Sequence, residues 1–372
     1  MPIRVCHLIG GARWTGAEVR AVHLLSGLAL HHEIELSAIL LSEGYLSDEL
    51  RRSGIAVSVL PQTGRVRLLT NLTESLRCRP VAILHTHGYR ENILGGLAGR
   101  MAGVRWFVRT RHRNSDPNDG RAPSIFIRRL LNDVFGRYAT HWMIAGSEDI
   151  YSGLLKGFPR GQVAFIRDGL IPGNIKPTRD PGIVRQELGL GPAVPIFGTV
   201  GRLVPEKGLE YFLRASLEIH QEIPDARFIV VGAGPCQNDL ERTVRELGVD
   251  SIVRFLGFRR DAIDLLNMLD VVVLPALSAG YEMVLFEAMA LAKPIVASAM
   301  GGISEMLQNG GGWLVPPRDV SALARACIEA YRASRDGSGG QVPADQFDEL
   351  ESIASIMCHQ TWALYQDLVK NG

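Results

Sequence analysis

Short apolar runs alternate with amphipathic stretches along almost the whole chain. Residues 3–9 and 34–41 are apolar enough to be strands buried on both faces, and residues 17–29 between them carry apolar side chains at helical spacing. The same rhythm restarts at residues 196–200, which are followed by a helix from Leu209. Alternation of this kind predicts parallel sheets with helices packed on them, so we expect an α/β fold.

A segment rich in proline and glycine separates the two halves of this pattern. Residues 173–192 include Pro177, Pro181, Gly189 and Pro192. Such residues interrupt regular structure and are typical of loops. The sequence therefore predicts a first domain over residues 1–172, a linker over 173–192 and a second domain over 193–352.

The most informative stretch is residues 271–307, which has the pattern of strand, loop, helix, strand, loop and helix. Residues 271–274 form a short buried strand, and a helix is expected to begin near Met283. Ligands of open parallel sheets bind beyond the carboxyl ends of the strands, and helix N-termini there favour anions. Glu287 is expected in the first turn of its helix. Its carboxylate either stabilises the positive helix end or accepts hydrogen bonds from ribose hydroxyls.

Two cations flank the turn that follows the strand 196–200. Arg202 and Lys207 precede the helix from Leu209. Arginine offers a diphosphate a two-pronged contact and lysine a point charge, so the pair favours a diphosphate site. An ion pair of Lys207 with Glu206 or Glu210 is the structural alternative.

Further candidates follow other strands. Gly11 lies in a glycine-rich loop after the first strand, and Phe258 follows the strand 252–256. His112 follows the strand 106–110, and a surface histidine within an arginine cluster is the alternative interpretation. His85 and His87 alternate along one strand end. No third metal ligand is evident, so we interpret them as polar residues that line the strand.

The region around Glu287 resembles the signature of retaining glycosyltransferase family 4, which has the GT-B fold. Gly280, Tyr281, Glu287 and the Ala-Met-Ala run at 288–290 fit that signature. The resemblance extends over nearly the whole chain and includes Arg202 and Lys207. The first glutamate of the signature is absent, because Ala279 stands at its place.

The resemblance implies two Rossmann-like domains with parallel sheets that face each other across a cleft, and a last helix, about 353–372, that crosses back to the first domain. It implies transfer of a sugar from a nucleotide-sugar donor to an acceptor hydroxyl with retained configuration, without a metal or another cofactor. The leaving phosphate would take the acceptor proton. The residues implied in catalysis are His112, Arg202 and Lys207. Those implied in donor binding are Gly11, Phe258, Gly280, Tyr281, Glu282, Met283, Val284 and Glu287.

Ala279 keeps other functions open. In the family the missing glutamate is expected at the transferred sugar, and Glu282, three positions later, could take its place. A non-catalytic nucleotide-sugar-binding protein would bind the donor without transferring it. A nucleotide-sugar epimerase would need acid and base carboxylates that the sequence does not identify. A Rossmann dehydrogenase is disfavoured because Gly-x-Gly-x-x-Gly is not met.

Composition and charge narrow the class further. The 372 residues are 46% hydrophobic and 21% charged, and no apolar run approaches the roughly 18 residues of a membrane span. We expect no signal segment, because the chain enters an apolar strand at once. Five scattered cysteines indicate free thiols, so we expect a cytoplasmic protein.

Residues 1–170 carry 22 basic and 14 acidic residues, a net charge of +8, and the remainder carries −7. The basic half is compatible with an anionic acceptor or peripheral membrane contact, or simply balances the acidic half. Nucleic acid is disfavoured as a partner, and the oligomeric state is left open.

Overall fold

A computed structural model describes residues 2–11, 16–60, 64–111, 140–278, 282–307, 310–336 and 344–370. The chain divides into two compact units. The first unit is Met1–Leu170 together with Ser352–Gly372, and the second is Ile171–Glu351. Each unit is built around one sheet.

The first unit has a seven-stranded sheet in which every pairing is parallel. Its described strands are β1 (Ile3–Ile9), β2 (Ile34–Leu40), β3 (Ala56–Val59), β4 (Ile83–Thr86), β5 (Trp106–Arg111), β6 (Trp142–Ala145) and β7 (Val163–Phe165). Its described helices are α1 (Gly16–Leu28), α2 (Tyr45–Arg52), α3 (Arg65–Cys78), α4 (Tyr89–Ala102) and α5 (Glu148–Leu155). The strand order is β3-β2-β1-β4-β5-β6-β7, so the direction of winding reverses between β1 and β4.

The second unit has a six-stranded parallel sheet. Its strands are β8 (Ile196–Val200), β9 (Arg227–Val231), β10 (Val253–Gly257), β11 (Val271–Leu274), β12 (Ile295–Ser298) and β13 (Trp313–Val315). The helices described here are α6 (Pro181–Glu187), α7 (Leu209–Glu222), α8 (Gln237–Leu247), α9 (Ala262–Met268), α10 (Met283–Ala290), α11 (Gly301–Leu307) and α12 (Val320–Asp336). The order β10-β9-β8-β11-β12-β13 reverses between β8 and β11. The predicted fold class, α/β with two parallel sheets, is confirmed.

The central strands of the second unit are apolar because helices cover both faces of the sheet. All four residues of β11 and all four of β12 are buried. Phe197 stacks on Phe228, and Phe212 meets Phe228 edge to face. This burial explains why continuous apolar runs, rather than alternating ones, marked these strands in the sequence.

The chain closes with its longest described helix, α13 (Ala344–Lys370), which has 27 residues. Most of its length, from Ser352 onward, belongs to the first unit. Trp362 and Tyr365 are buried in that unit's core, as their apolar spacing suggested. No helix in the described ranges is long and apolar enough to cross a membrane.

Residues 173–192, which were predicted to be a linker, belong to the second unit and contain α6. Pro181 stands in the first turn of α6, where a missing N–H costs nothing, and Asp180 caps the helix by accepting from the Gly182 N–H. Asp264 of α9, with a side chain 4% exposed, accepts from the Thr178 N–H at 2.6 Å and from Arg179 Nε at 2.9 Å. The segment is therefore tied to the sheet domain rather than left as a spacer.

We expect Asp264→Ala to destabilise the second unit strongly. The substitution removes the acceptor of the Thr178 N–H and hydroxyl and one of the acceptors of the partly buried Arg179. Because Arg179 keeps its contacts with Asp261 and Glu187, we expect a loss of about 2 kcal/mol, the usual cost of leaving hydrogen-bonding groups unsatisfied. Urea unfolding measures the loss. Asp239→Ala is the control, because Asp239 pairs with Arg242 on the exposed face of α8, where a pair contributes about 0–1 kcal/mol. An equal loss of free energy of unfolding in the two variants would contradict the conclusion that Asp264 ties residues 173–192 to the second unit.

Three buried histidines meet where the first sheet reverses its winding. His7 of β1 joins His85 and His87, so a third histidine that sequence spacing did not reveal lies beside the alternating pair. His7 Nδ1 lies 2.8 Å from His87 Nε2, while the two nitrogens of His85 contact the hydroxyls of Tyr365 and Thr110 at 2.5 and 2.8 Å. The rings of His85 and His87 stack with centroids 4.4 Å apart, and one ring nitrogen of each of the three histidines lies within 4.8 Å of the other two. Burial lowers the pKa of His7 to about 3. The cluster thus joins three strands to α13 through hydrogen bonds, and burial favours the neutral form of His7.

Candidate functional site

A pocket lies at the carboxyl ends of β8 and β11, where the second sheet reverses its winding. Open parallel sheets bind ligands at this position because the loops on either side of the reversal diverge. The residues that line the pocket are Thr199, Val200, Gly201, Arg202, Lys207, Leu209, Val231, Leu274, Pro275, Ala276 and Glu282.

Glycines let the loops around this pocket touch through their backbones. A Cβ at Gly232, which has φ 133°, would lie 1.8 Å from the carbonyl oxygen of Gly201, and a Cβ at Gly208 would lie 2.1 Å from that of Pro275. The Gly201 N–H donates to the Val231 carbonyl at 2.9 Å. The loops that follow β8, β9 and β11 are therefore held against one another, which fixes the shape of the pocket.

We expect Gly208→Ala to cost considerably more free energy of unfolding than Gly248→Ala. Both glycines have left-handed backbones, with φ 60° and 68°, so both substitutions carry the same strain of about 1–2 kcal/mol. Only Gly208 also meets a fixed carbonyl, whereas the space around Gly248 is open. Chemical denaturation of the two variants isolates the contact with Pro275. Similar losses would show that the loops separate freely.

Arg202 and Lys207 both line this pocket. Arg202 is half-buried and lies two residues after the end of β8, and Lys207 ends the short turn Pro205–Lys207 that leads into α7. The structure thus places both predicted cations in one pocket at the carboxyl end of β8. Two cations beside backbone N–H groups at a strand-to-helix turn can hold the oxygens of an anion such as a diphosphate.

Lys207 pairs with an acidic residue that its sequence neighbourhood did not suggest. Its Nζ lies 2.7 Å from Oε1 of Glu282, whereas the sequence had suggested Glu206 or Glu210. The side chain of Lys207 is 28% exposed and that of Glu282 is 7% exposed. Glu282 stands at the N-cap of α10, but its side chain makes no capping hydrogen bond. The carboxylate reaches into the pocket instead.

Glu287 lies in the second turn of its helix. Because α10 begins at Met283, Glu287 is its fifth residue, and the prediction of a first-turn position was wrong. The helix dipole acts mainly within the first turn, so it is a weak reason for an acid here. Burial raises the pKa of Glu287 to about 7. No hydrogen bond or ion pair joins its side chain to another residue in the described ranges, so a ligand hydroxyl would supply a partner that the protein does not.

The remaining predicted site residues are distributed as follows. Met283 and Val284 are buried in the first turn of α10, and Phe258 is 51% exposed just after β10. Gly11 belongs to the first unit, in the loop after β1, with φ 76°. His112, Ala279, Gly280 and Tyr281 lie outside the described residues. The role of each of these residues stays a prediction.

Sequence reasoning missed several residues of the pocket. Thr199 is 4% exposed, and its only signal was a single hydroxyl within the apolar strand 196–200. Pro275 and Ala276 contribute to the lining, although Pro275 was recognised only as the residue that ends β11. The pairing of Lys207 with Glu282 joins residues 75 positions apart, so no local pattern could indicate it.

Two parallel-sheet α/β units with these strand orders define the class of GT-B proteins. The Anabaena protein HepE in complex with UDP and glucose superimposes with a TM-score of 0.81 at 20% identity, over 98% of this chain and 100% of that chain. WaaG, a glycosyltransferase involved in lipopolysaccharide biosynthesis, gives a TM-score of 0.68 at 15% identity, with both chains fully covered. These similarities establish the fold.

The model of the family Glycosyl transferases group 1 matches residues 194–333. The chain is 27% identical over 340 residues to UDP-Gal:alpha-D-GlcNAc-diphosphoundecaprenol alpha-1,3-galactosyltransferase of Escherichia coli, covering 84% of this chain and 86% of that protein. It is 30% identical over 202 residues to D-inositol 3-phosphate glycosyltransferase of Corynebacterium kroppenstedtii, covering 50% of this chain and 44% of that protein. The resemblance to GT-B glycosyltransferases is confirmed.

Proposed function

We propose that the protein transfers a glycosyl group from a nucleotide sugar to an acceptor hydroxyl with retention of the anomeric configuration. The observation that carries this proposal is the presence of Arg202 and Lys207 in one pocket at the reversal of the second sheet. The donor is supported by relatives as well. The name of the Escherichia coli relative specifies UDP-Gal, and HepE was solved with UDP and with UDP-glucose.

The two cations would act on the leaving group. When the bond between the sugar and the diphosphate breaks, negative charge grows on the phosphate oxygen that leaves. The Arg202 guanidinium offers a planar pair of N–H donors and Lys207 a mobile ammonium, so together they can follow that charge as it develops. The site needs no metal to neutralise the diphosphate in this scheme, because the protein supplies both positive charges.

Glu287 would bind the nucleoside. Its carboxylate has no partner within the described part of the chain, and a ribose presents two adjacent hydroxyls that can donate to the two carboxylate oxygens. The raised pKa of Glu287 means that this acceptor is about half ionised at pH 7 and mostly ionised only at higher pH.

The acceptor is proposed to be anionic. Residues 1–170 carry a net charge of +8, which attracts an anionic substrate or an anionic membrane surface that contains it. The proton of the attacking hydroxyl would pass to the leaving phosphate, which becomes more basic as the glycosidic bond breaks. The reaction then requires no carboxylate nucleophile from the protein.

Calorimetric titration with a panel of nucleotide sugars and nucleoside diphosphates tests the donor site. We expect one donor to bind the wild-type protein and to bind Arg202→Ala at least about 100-fold more weakly, since a lost charged contact to phosphate is worth roughly 3 kcal/mol. Arg214→Ala is the matched control, because Arg214 is exposed on α7 and does not line the pocket. Binding of no donor at all would refute the proposal. NMR of the product from an α-linked donor then gives the configuration, and a β-linked product would refute retention.

A non-catalytic nucleotide-sugar-binding protein is the second candidate. Ala279 stands where similar glycosyltransferases carry the first glutamate of their signature. This candidate predicts tight donor binding without transfer to any acceptor and without donor hydrolysis. Transferase activity that appears only in Ala279→Glu would favour it over the enzyme.

A further inference from the structure

We propose that His7, His85 and His87 bind one zinc ion, which holds α13 against the first sheet. The sequence showed two of these histidines as a pair, and the fold brings the third beside them. The hydroxyl of Tyr365 is the fourth ligand in this proposal. The site belongs to the first unit, whereas the pocket described above belongs to the second, so the proposal does not depend on the proposed function.

The register of two central strands places the three rings on one face of the first sheet. His7 of β1 pairs directly with His85 of β4. Side chains two residues apart on a strand point to the same face, so His87 follows His85. One ring nitrogen of each histidine lies within 4.8 Å of the other two. Strand pairing, rather than a mobile loop, therefore assembles the cluster.

The separations of the ring nitrogens suit a metal ion. Zinc binds imidazole nitrogens at about 2.0–2.1 Å, so tetrahedral geometry places neighbouring ligand atoms roughly 3.4 Å apart. The distance of 2.8 Å between His7 Nδ1 and His87 Nε2 and the upper limit of 4.8 Å for the cluster lie on either side of that value. The strands already bring the ligand atoms to the required separation, and the adjustment that remains is a turning of the stacked rings of His85 and His87.

Tyr365 completes the ligand set from α13. Its hydroxyl oxygen lies 2.5 Å from His85 Nδ1 and 3.3 Å from His7 Nε2. A metal ion favours the deprotonated form of a group that it binds, so this oxygen would add the negative charge that a buried cation needs. The other nitrogen of His85 lies 2.8 Å from the hydroxyl of Thr110. A hydrogen bond from that second nitrogen is the contact that orients a metal-bound histidine.

The burial and the chemistry of the ligands favour a structural zinc site. His7, His85 and Tyr365 are fully buried, and His87 is 7% exposed. Four protein ligands fill the tetrahedral shell of zinc sites that support a fold, whereas catalytic zinc keeps one position for water. Magnesium and calcium prefer oxygen ligands and do not suit three imidazoles. Because the ligands meet only when α13 lies on the sheet, metal binding would add to the stability of the folded chain.

Metal loading of the wild-type protein is the first test. Protein without an affinity tag is stripped with a chelator, loaded with Zn²⁺ or Co²⁺ and desalted, and its metal is counted by mass spectrometry. We expect about one ion per chain, a Co²⁺ absorption spectrum of the tetrahedral type, and a rise in Tm of about 5 °C or more with Zn²⁺. Hydrogen exchange of residues 357–368 should slow at the same time, because the ion would fasten this part of α13.

Two variants locate the bound ion. We expect His87→Gln to weaken metal binding at least about 100-fold, since losing even a group that orients a ligand costs up to that factor. His87 is the least buried of the three histidines, and circular dichroism checks that the fold is kept. Tyr365→Phe keeps all three imidazoles and should change the Co²⁺ spectrum because one oxygen ligand is lost. His359→Gln, on an exposed histidine of α13, is the matched control and should bind metal as the wild type does.

A folded wild-type protein that retains no Zn²⁺ or Co²⁺ would overturn the proposal and leave the cluster as a set of hydrogen bonds. Undiminished metal binding in His87→Gln would overturn it as well, because the ion would then lie elsewhere. If neither variant folds, the Co²⁺ spectrum of the wild-type protein decides, and a spectrum of the octahedral type would contradict a site with four protein ligands.

Discussion

Lys207→Ala should lower kcat/KM for glycosyl transfer by about 10²–10³-fold, the usual loss when one group that stabilises developing charge is removed. The reason is that the Lys207 ammonium lies in the pocket beside Arg202, where the charge on the leaving diphosphate would form. Because the lysine acts more on the transition state than on the bound donor, we expect the loss mainly in kcat. Steady-state kinetics with the donor identified by titration would measure it.

This variant also removes the partner of a buried carboxylate. Glu282 is 7% exposed, and leaving it unpaired can destabilise the protein by about 3 kcal/mol. Lys207→Gln is therefore made in parallel, since its amide can still donate to Glu282 without supplying the charge. Lys176→Ala, on an exposed lysine of the same unit, should leave the rate unchanged. Undiminished turnover in Lys207→Gln would refute the assigned role.

Glu287→Gln should make the protein more stable while it weakens donor binding. Burial raises the pKa of Glu287 from the ordinary value of 4.5 to about 7, so the folded state holds its proton where the unfolded state has released it. Below about pH 4.5, Glu287 therefore does not lower the free energy of unfolding. Between pH 4.5 and 7 it lowers that free energy by about 1.4 kcal/mol for each pH unit, and above pH 7 the loss stays constant. Removing the charge should relieve up to about 3 kcal/mol at pH 8 and nothing at pH 4.

Donor binding should change in the opposite direction. If the ionised carboxylate accepts ribose hydroxyls, donor affinity in the wild-type protein should fall as the pH drops below about 7. In Glu287→Gln the affinity should be about 10-fold lower at pH 8, and its dependence on pH should disappear. Calorimetry and urea unfolding at pH 6, 7 and 8 measure both effects.

Glu305→Gln, on α11 in the same unit, is the control. A variant that gains no stability at pH 8 would contradict the burial of this charge, and one that retains wild-type affinity would exclude the ribose contact.

The sequence alone predicted most strands closely. The expected strands 196–200 and 271–274 are β8 and β11 with the same bounds. They could be recognised because a strand covered on both faces must be apolar at every position, which is a local property of the chain. The start of α10 at Met283 was likewise predicted from the turn residues before it.

The segment 173–192 shows the limit of such local reasoning. Its prolines and glycines were read as a spacer, yet Pro181 begins a helix and Asp264, more than 80 residues further on, holds Thr178 and Arg179. Composition reports how well a segment forms regular structure by itself. It does not report a partner that approaches from another element.

What the sequence by itself determined is the class of fold and the chemical types of the site: two parallel α/β halves, and two cations at one strand-to-helix turn. These follow from periodicity and from residues within a few positions of one another. Only the tertiary structure decided that Lys207 pairs with Glu282, that desolvation raises the pKa of the half-buried Glu287, and that His7 meets His85 and His87. Each of these depends on the order of strands in a sheet, which brings together residues far apart in the chain, and on burial, which sets the energy of a charge only after the whole domain has folded.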